Sequence, residues 1–558
     1  MSALESARSA DDAEDTAARL ASVTWDAVVV GTGMGGGTLG HELARLGRRV
    51  LFLEKGITDV DPASGAITGS YAEQTFDLAR LTDEEHADRL ARAGRSSAWY
   101  EDSTPGRKPK RFQPISGSGL GGSSALYGMV TERLFREDFT PRGNFADVGD
   151  STVPEAWPVK YEEMVPWYQR AERLYRVRGT ADPLRPEDDT DTLLPPGPVT
   201  ARNAALAEFL SGRGLHPYGL HVACEYRPEC ATCETFLCAR ACKNHAGNVC
   251  VTPAVQELGA TVLDRTTAVR VEATRTRVTG VVARRDGQTH TFRGRVIVVA
   301  GGALQTPVLL LNSRSEDWPG GLANDNDLVG RNLMRHFMDV YLFRTPVKKS
   351  VPGQTKEVSV NDFYLADGDK YGTLQSMGHI PPYEFLMNYS REGRRLLGPL
   401  HGLARRPWRT MMQDRFIVLA AIMEDLPRAE NRVLPADGSG PRGPLLQLQY
   451  KVSDQDRARH RRFHRRVRSA LGRYTGSLLP PVHVSGIDMN TALGHQCGTC
   501  RFGDDPRTSV LDPDNRAWGL DNLYVVDASM MPSSGGINPS LTIAANALRV
   551  GHAIHDAL

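Results

Sequence analysis

Two groups of residues in this chain have types and spacing suited to chemistry. The first is Gly31-Thr-Gly33-Met34-Gly-Gly36, followed eighteen positions later by Glu54. Glycines at this spacing permit a tight turn, close approach of backbone to a pyrophosphate and close helix packing, while the helix N-terminus offers partial positive charge. A carboxylate at position 54 is placed to accept hydrogen bonds from ribose hydroxyls and argues against a 2′-phosphate. Together they indicate a dinucleotide site and leave FAD or NAD open. The second group is CEYRPECATCETFLCARACKNHAGNVC, where Cys224, Cys230, Cys233, Cys238, Cys242 and Cys250 make six of the chain's eight cysteines. That density points to metal, although zinc, disulfides and free thiols would use the same residues.

The elements that must position these residues follow from pattern. DAVVV from Asp26 reads as a short buried strand entering the glycine turn, HELARLG as a helix stopping at Gly47, and RRVLFLE as a second parallel strand ending on Glu54. This is a βαβ unit. Residues 150–200 are rich in Pro and Asp and read as an excursion. TTAVRVEAT and VTGVVARR are β-like, and RVIVVAGGALQTPVLLLNS repeats the strand, glycine turn and helix order. Near the C-terminus DNLYVVDAS reads as a strand, and NPSLTIAANALRVGHAIHDAL as an amphipathic helix with Asn538 as its cap and Pro539 in its first turn. The expected division is a tail over 1–25, a discontinuous nucleotide domain over 26–150, 201–340 and 492–558, and a second domain over 151–200 and 341–491.

At 558 residues two structural units are expected. The balance of 67 Lys and Arg against 66 Asp and Glu, net charge +1, provides no global field for nucleic acid or an anionic membrane. The first 25 residues lack the pattern of a secretory leader and no apolar run is long enough for a membrane span, so a soluble, cytoplasmic protein with reduced thiols is expected. Two Arg-rich stretches, 391–409 and 457–473, read as solvated helix faces. The first also carries Leu and Trp that could meet a membrane surface or an acidic electron acceptor.

Four separated segments resemble the glucose-methanol-choline (GMC) oxidoreductase family: the glycine motif, Gly119-Leu-Gly-Gly-Ser-Ser-Ala-Leu-Tyr-Gly-Met-Val130, Gly301-Gly-Ala-Leu-Gln-Thr-Pro307, and a C-terminal run. That run comprises His495-Gln-Cys-Gly-Thr-Cys-Arg501, DNLYVVDAS and Gly536-Ile-Asn538-Pro-Ser-Leu-Thr. The resemblance implies an α/β protein with a Rossmann-like FAD-binding domain and an inserted α+β substrate-binding domain. It places Gly121, Gly122, Ser123, Tyr127, Gly128 and Val130 against the flavin, Asp527 and Ala528 near the ribityl-phosphate, Val269 at the adenine, and Asn538 with Pro539 at the ring. Some members attach FAD through a histidine where this chain has Leu126, so noncovalent FAD is implied.

The implied reaction takes hydride from an alcohol carbon, which requires a base for the hydroxyl proton. His495 takes that role by resemblance, because an imidazole titrates near neutrality. Asn538 is its partner, its amide reaching the substrate oxygen and its helix pointing a positive end at the flavin pyrimidine. Cys233-x4-Cys238-x3-Cys242 is similar to the iron–sulfur run in bacterial glucose and fructose dehydrogenase flavin subunits of this family, with Cys230 as a fourth or alternative ligand. The run lacks the proline common after the last ligand. Cys497 and Cys500 read as packing residues. The expected substrate is a sugar, aminosugar or other polyol, with a protein electron acceptor where a cluster is present. Two competing readings are a nonoxidative lyase or isomerase on a flavin scaffold, and a nucleotide-binding redox sensor built on the cysteines.

Overall fold

The computed structural model describes all residues except 1–9, 76–80, 187, 189, 345–355, 378–380, 386–415, 437, 439–443, 473–481 and 488–493. A seven-stranded sheet carries the glycine motif. At its centre β1 (Thr24–Val30) runs parallel to β2 (Val50–Leu53) and to β6 (Gln288–Val299), with β3 (Thr261–Leu263) outside β2 and β12 (Leu523–Val525) against β6. The runs AVVV and VLFL are buried throughout, as strands of a parallel sheet covered on both faces must be. The long strand β6 serves twice. Its first half pairs antiparallel with β5 (Val278–Arg285), itself paired with β4 (Thr267–Ala273), and its second half joins the parallel sheet.

Helices cover this sheet. Ahead of β1, α1 (Ala10–Ala21) buries Ala17 and Leu20. From the glycine turn, α2 (Met34–Arg45) leaves so close to the strand that a Cβ on Gly36 would lie 2.2 Å from the Gly31 carbonyl oxygen. Glu42 of α2 is buried and accepts from Arg45, from Arg170 of α3 (Tyr161–Tyr175) and from His552 of α5 (Ser540–Ala557). These arginine hydrogen bonds outweigh the burial penalty and hold its carboxyl down at about 2.

The second sheet is antiparallel and has six strands in the order β11 (Val482–Val484), β7 (Phe337–Arg344), β10 (Phe416–Met423), β9 (Gly372–Ser376), β8 (Val358–Val360) and Tyr218–Gly219. Its strands therefore come from both sides of position 341. The helix α4 (Asp454–Leu471), capped by Ser453, lies against it. One face of the Arg-rich stretch 457–473 is accordingly not solvated: Arg459 is 1% exposed and donates to the Lys370 and Glu424 carbonyls and to Asp456, while Phe463 stacks on Tyr371. Stretch 391–409 lies outside the described residues. Among the described residues no helix is long and apolar enough to cross a membrane.

Candidate active site

Between the two sheets lies a cavity of about 1480 Å³. This exceeds the roughly 300–1,000 Å³ of an ordinary small-molecule pocket and leaves room for a dinucleotide beside a substrate. Gly31, Gly33 and Met34 line one end. Gly31 has φ +99° with its Cβ direction blocked by the Ala300 carbonyl at 2.6 Å, whereas a Cβ on Gly33 would meet nothing within 4 Å and project into the cavity. No side chain caps α2 at Gly33, so its first amides remain for a ligand's anionic group. Val269 lines the cavity as well, three residues beyond Thr266, whose amide donates to the Glu54 carbonyl at 2.8 Å. Gly36 is used in packing and does not line the cavity.

Glu54 also makes hydrogen bonds within the chain. It stands at the cavity wall, but Oε2 accepts from the Thr32 amide at 3.1 Å and hydroxyl at 2.7 Å, and Oε1 from the amides of Gly56 and Gly119, each at 3.0 Å. Its carboxylate fastens the first glycine motif to the second, a use of its lone pairs that strand-end position cannot distinguish from ribose binding. Asp527 is similar: buried, it accepts from the Ser529 amide at 2.8 Å, the Gly302 amide at 2.9 Å and the Thr306 hydroxyl, and burial raises its pKa. In the second motif Gly122, Ser123, Tyr127, Gly128 and Val130 line the cavity, while Gly121 backs onto the His245 ring. Leu126 occupies the wall, with no imidazole at that position.

His495 and Asn538 meet at the wall where the sheets converge, with Ala528 and Pro539 alongside. His336, 2% exposed, lines the cavity beside His495. The hydrogen-bond order fixes their tautomers. The Ser534 carbonyl can only accept, so His336 Nε2, 3.1 Å away, carries a proton and His336 Nδ1 is an acceptor. His495 Nδ1, 3.1 Å from it, therefore donates, and the lone pair of a neutral His495 lies on Nε2. Asn538 Nδ2 is 3.2 Å from that nitrogen, and Asn538 Oδ1 accepts from Gln375 Nε2 at 3.0 Å, which sets the amide's orientation. Burial, then His336 and Lys356, lower the His495 pKa well below the usual imidazole value.

The backbone supports this geometry at a conformational cost. His495 and His336 have φ of 55° and 56°, a left-handed conformation uncommon outside glycine. Asp425 holds His336 by accepting its amide at 3.1 Å and that of Arg335 at 2.9 Å. Met334 and Cys497 exchange two backbone hydrogen bonds of 3.0 Å, joining the two histidine segments. Cys497 and Cys500 are buried in the main core, the packing role expected of them. The helix α5 starts at Ser540 with Pro539 in the cap position, so the Asn538 side chain does not cap it and instead bonds His495 and Gln375 at the cavity wall.

On the second-sheet side Met338, Val340 and Gln375 line the cavity. Lys356 and Glu234 form an ion pair of 2.9 Å there. His336, Gln375, Lys356 and Glu234 were not among the residues singled out from the sequence. His336, Gln375 and Lys356 are lone polar residues without a motif and Glu234 lies unmarked beside Cys233 in the cysteine run, so only the chain pairing brings them to the site.

The cysteine loop packs beside this wall. Cys224 and Cys230 have sulfurs 3.7 Å apart, the Thr232 amide points at Cys230 Sγ at 3.5 Å, and the Cys242 amide at Cys238 Sγ at 3.3 Å. Five non-glycine residues from Tyr226 to Ala241 have left-handed φ. No three of the sulfurs lie within 4.8 Å of one another, which a single tetrahedral zinc with sulfurs about 3.8 Å apart requires. All eight cysteines are free thiols.

The GMC oxidoreductase family matches residues 199–338 and 427–547. The chain is 30% identical over 562 residues to 6'''-hydroxyparomomycin C oxidase of Streptomyces lividus, covering 96% of this chain and 92% of that one. The chain belongs to the GMC oxidoreductase family. Paromamine 6'-oxidase of Streptomyces fradiae is 28% identical over 95% of this chain and 91% of its own. In fold, this GMC oxidoreductase matches the crystal structure of pyridoxine 4-oxidase from Mesorbium loti with a TM-score of 0.64 at 21% identity, covering 96% of this chain and 99% of that one.

Proposed function

We propose that this GMC oxidoreductase oxidises a CH–OH group of a sugar, aminosugar or other polyol to a carbonyl, with noncovalent FAD in the cavity and His495 as base. The observation that carries this reading is the hydrogen-bond order from Ser534 through His336 and His495 to Asn538, which leaves His495 Nε2 as the acceptor at the cavity wall. The cavity fits FAD at its glycine end, where the open Cβ direction of Gly33 and the uncapped start of α2 suit a pyrophosphate. Bound FAD supplies an acceptor for the hydride leaving the carbinol carbon.

His495 Nε2 takes the hydroxyl proton, and its depressed pKa keeps it unprotonated beforehand. Asn538 Nδ2 donates to the same substrate oxygen, held in that orientation by Gln375. Gly31, Gly33, Met34, Gly122, Ser123, Tyr127, Gly128, Val130, Val269, Ala528 and Pro539 are the wall against the cofactor, braced by Glu54, Asp527, Gly36 and Gly121. The Lys356–Glu234 pair offers both signs of charge to a hydroxyl- or amine-bearing substrate, and the aminosugar names of the two Streptomyces relatives support that class.

The cysteine loop supports a second site. Cys230, Cys233, Cys238 and Cys242, with backbone amides aimed at sulfur, suit a polynuclear iron–sulfur group better than one zinc ion. Such a group supplies one-electron exchange with a protein acceptor. Free thiols throughout suit the cytoplasm.

The test is anaerobic purification, a visible spectrum with iron and sulfide analysis, and mixing with a panel of aminosugars, hexoses and diols. The flavin bleaches with at least one alcohol. Turnover of an alcohol without bleaching favours the lyase or isomerase reading, and no response to any alcohol favours the sensor.

A further inference from the structure

Strand β7 presents alternate residues to opposite sides. Met338 and Val340 line the cavity, and Asp339 between them faces away, towards α4 and β11. Three imidazoles surround this carboxylate. Its Oδ2 is 2.8 Å from His460 Nε2, 2.8 Å from His483 Nε2 and 3.8 Å from His464 Nδ1. His460 and His464 are four residues apart and so share one face of α4, while His483 comes from the edge strand β11. Ligand atoms of Asp339, His464 and His483 all lie within 4.8 Å of one another, which among the described residues no other trio of His, Cys, Asp or Glu achieves.

The surroundings are those of a prepared site. Asp339 Oδ1 is fixed by the Gly486 amide at 3.0 Å and the Ser485 hydroxyl at 3.2 Å. The Tyr341 hydroxyl sits 2.8 Å from His464 Nδ1, the ring nitrogen turned towards Asp339, and holds the ring in that orientation. The Asp339 side chain is 5% exposed, but those of His464 and His483 are 22% and 26% exposed, so an ion can reach them from solvent. A carboxylate needs only one imidazolium for charge balance, and three imidazoles on one oxygen exceed that need. Atoms coordinated at about 2.0–2.1 Å around a tetrahedral zinc stand about 3.3 Å apart, and the spacings of 2.8 and 3.8 Å bracket that value.

We propose that Asp339, His464 and His483 bind a divalent transition-metal ion of the zinc type, with His460 holding the carboxylate from outside the coordination shell. Imidazole and carboxylate donors suit such an ion, and hydrogen-bonded outer partners orient its ligands. The ion ties α4 and the edge strand β11 to β7, directly behind the wall that Met338, Val340 and Val484 present to the cavity. Its effect is to stiffen the substrate side of that cavity without touching the reacting atoms.

The experiment uses the flavin-loaded full chain, stripped with a chelator and titrated with ZnCl2. Bound zinc is counted by mass spectrometry and thermal unfolding is followed with and without zinc. The proposal expects about one added equivalent and a higher melting temperature, both lost in His464→Gln and His483→Gln and kept in the Cys233→Ser/Cys238→Ser double variant. Zinc uptake that disappears with the cysteines and survives the histidine changes overturns it. So does a wild-type melting temperature indifferent to zinc, the outcome of a proton-sharing network alone. Should the histidine variants not fold, hydrogen exchange on the wild type decides: zinc slows exchange in 454–471 and 482–487, and unchanged exchange there overturns the assignment.

Discussion

Strand β7 separates two groups of histidines in opposite surroundings. On the cavity side His336 and His495 bond to each other, to a carbonyl and to an amide, with no carboxylate in the chain. Behind the strand His460, His464 and His483 converge on Asp339. Burial and the first arrangement depress the His495 pKa and leave one ring nitrogen as an acceptor facing the Asn538 amide at the cavity wall, which suits a base. The second gathers a negative charge and several donors around a point, which suits a cation. Residue type alone therefore predicts neither role; the presence of a buried carboxylate decides between them.

The largest loss is expected at His336. His336→Leu removes the acceptor that sets the His495 tautomer and lowers the rate of flavin reduction by substrate about 10²-fold, the scale of a general-base contribution. His336→Gln restores much of it through its amide oxygen, measured by anaerobic stopped-flow. Identical losses in both variants would mean that the ring is needed only for packing.

Acidity is the next lever. The folded pKa of His495 is depressed, so as pH falls the unfolded chain binds the proton first, below about 6.5. Stability from this group is present above that pH and declines beneath it. The acid limb of kcat/KM accordingly lies below about 6.5, falling tenfold per pH unit beyond its midpoint. A limb at or above the ordinary imidazole value contradicts the neutral, desolvated ring.

Smaller changes sharpen the contrast. Gln375→Leu frees the Asn538 amide to rotate and costs a hydrogen bond worth about 0.5–1.5 kcal/mol, a roughly two- to thirteenfold fall in kcat/KM. Asp339→Asn works on the other group: it lowers unfolding stability by about 1–3 kcal/mol through polar atoms left unpaired, read by urea denaturation, while flavin reduction stays within about threefold of wild type, since no catalytic contact is lost.

The legible and illegible parts of this site divide on similar physical lines. The βαβ unit, the glycine turn and His495 are local patterns, in which strand period, helix period and turn residues follow one another in sequence. His336 and Gln375 reach His495 only through pairings such as Met334 with Cys497 and the placement of β9 beside β10, which no local pattern encodes. Glu54 follows β2 as the strand pattern predicts, whereas Asn538 stands one residue before the cap position expected of it. A carboxylate at a strand end can accept from ribose or from Thr32, Gly56 and Gly119, and an asparagine before Pro-Ser can cap a helix or leave Pro539 in that position.

Proton transfer to His495 is tested directly by anaerobic reduction of flavin by a bleaching substrate in His495→Gln at pH 7.5. Flavin stays bound, shown by its unchanged visible spectrum before mixing, and the reduction rate falls about 10²–10⁴-fold. A variant that retains flavin and reduces it within a few-fold of the wild-type rate contradicts the assignment of His495 as the base.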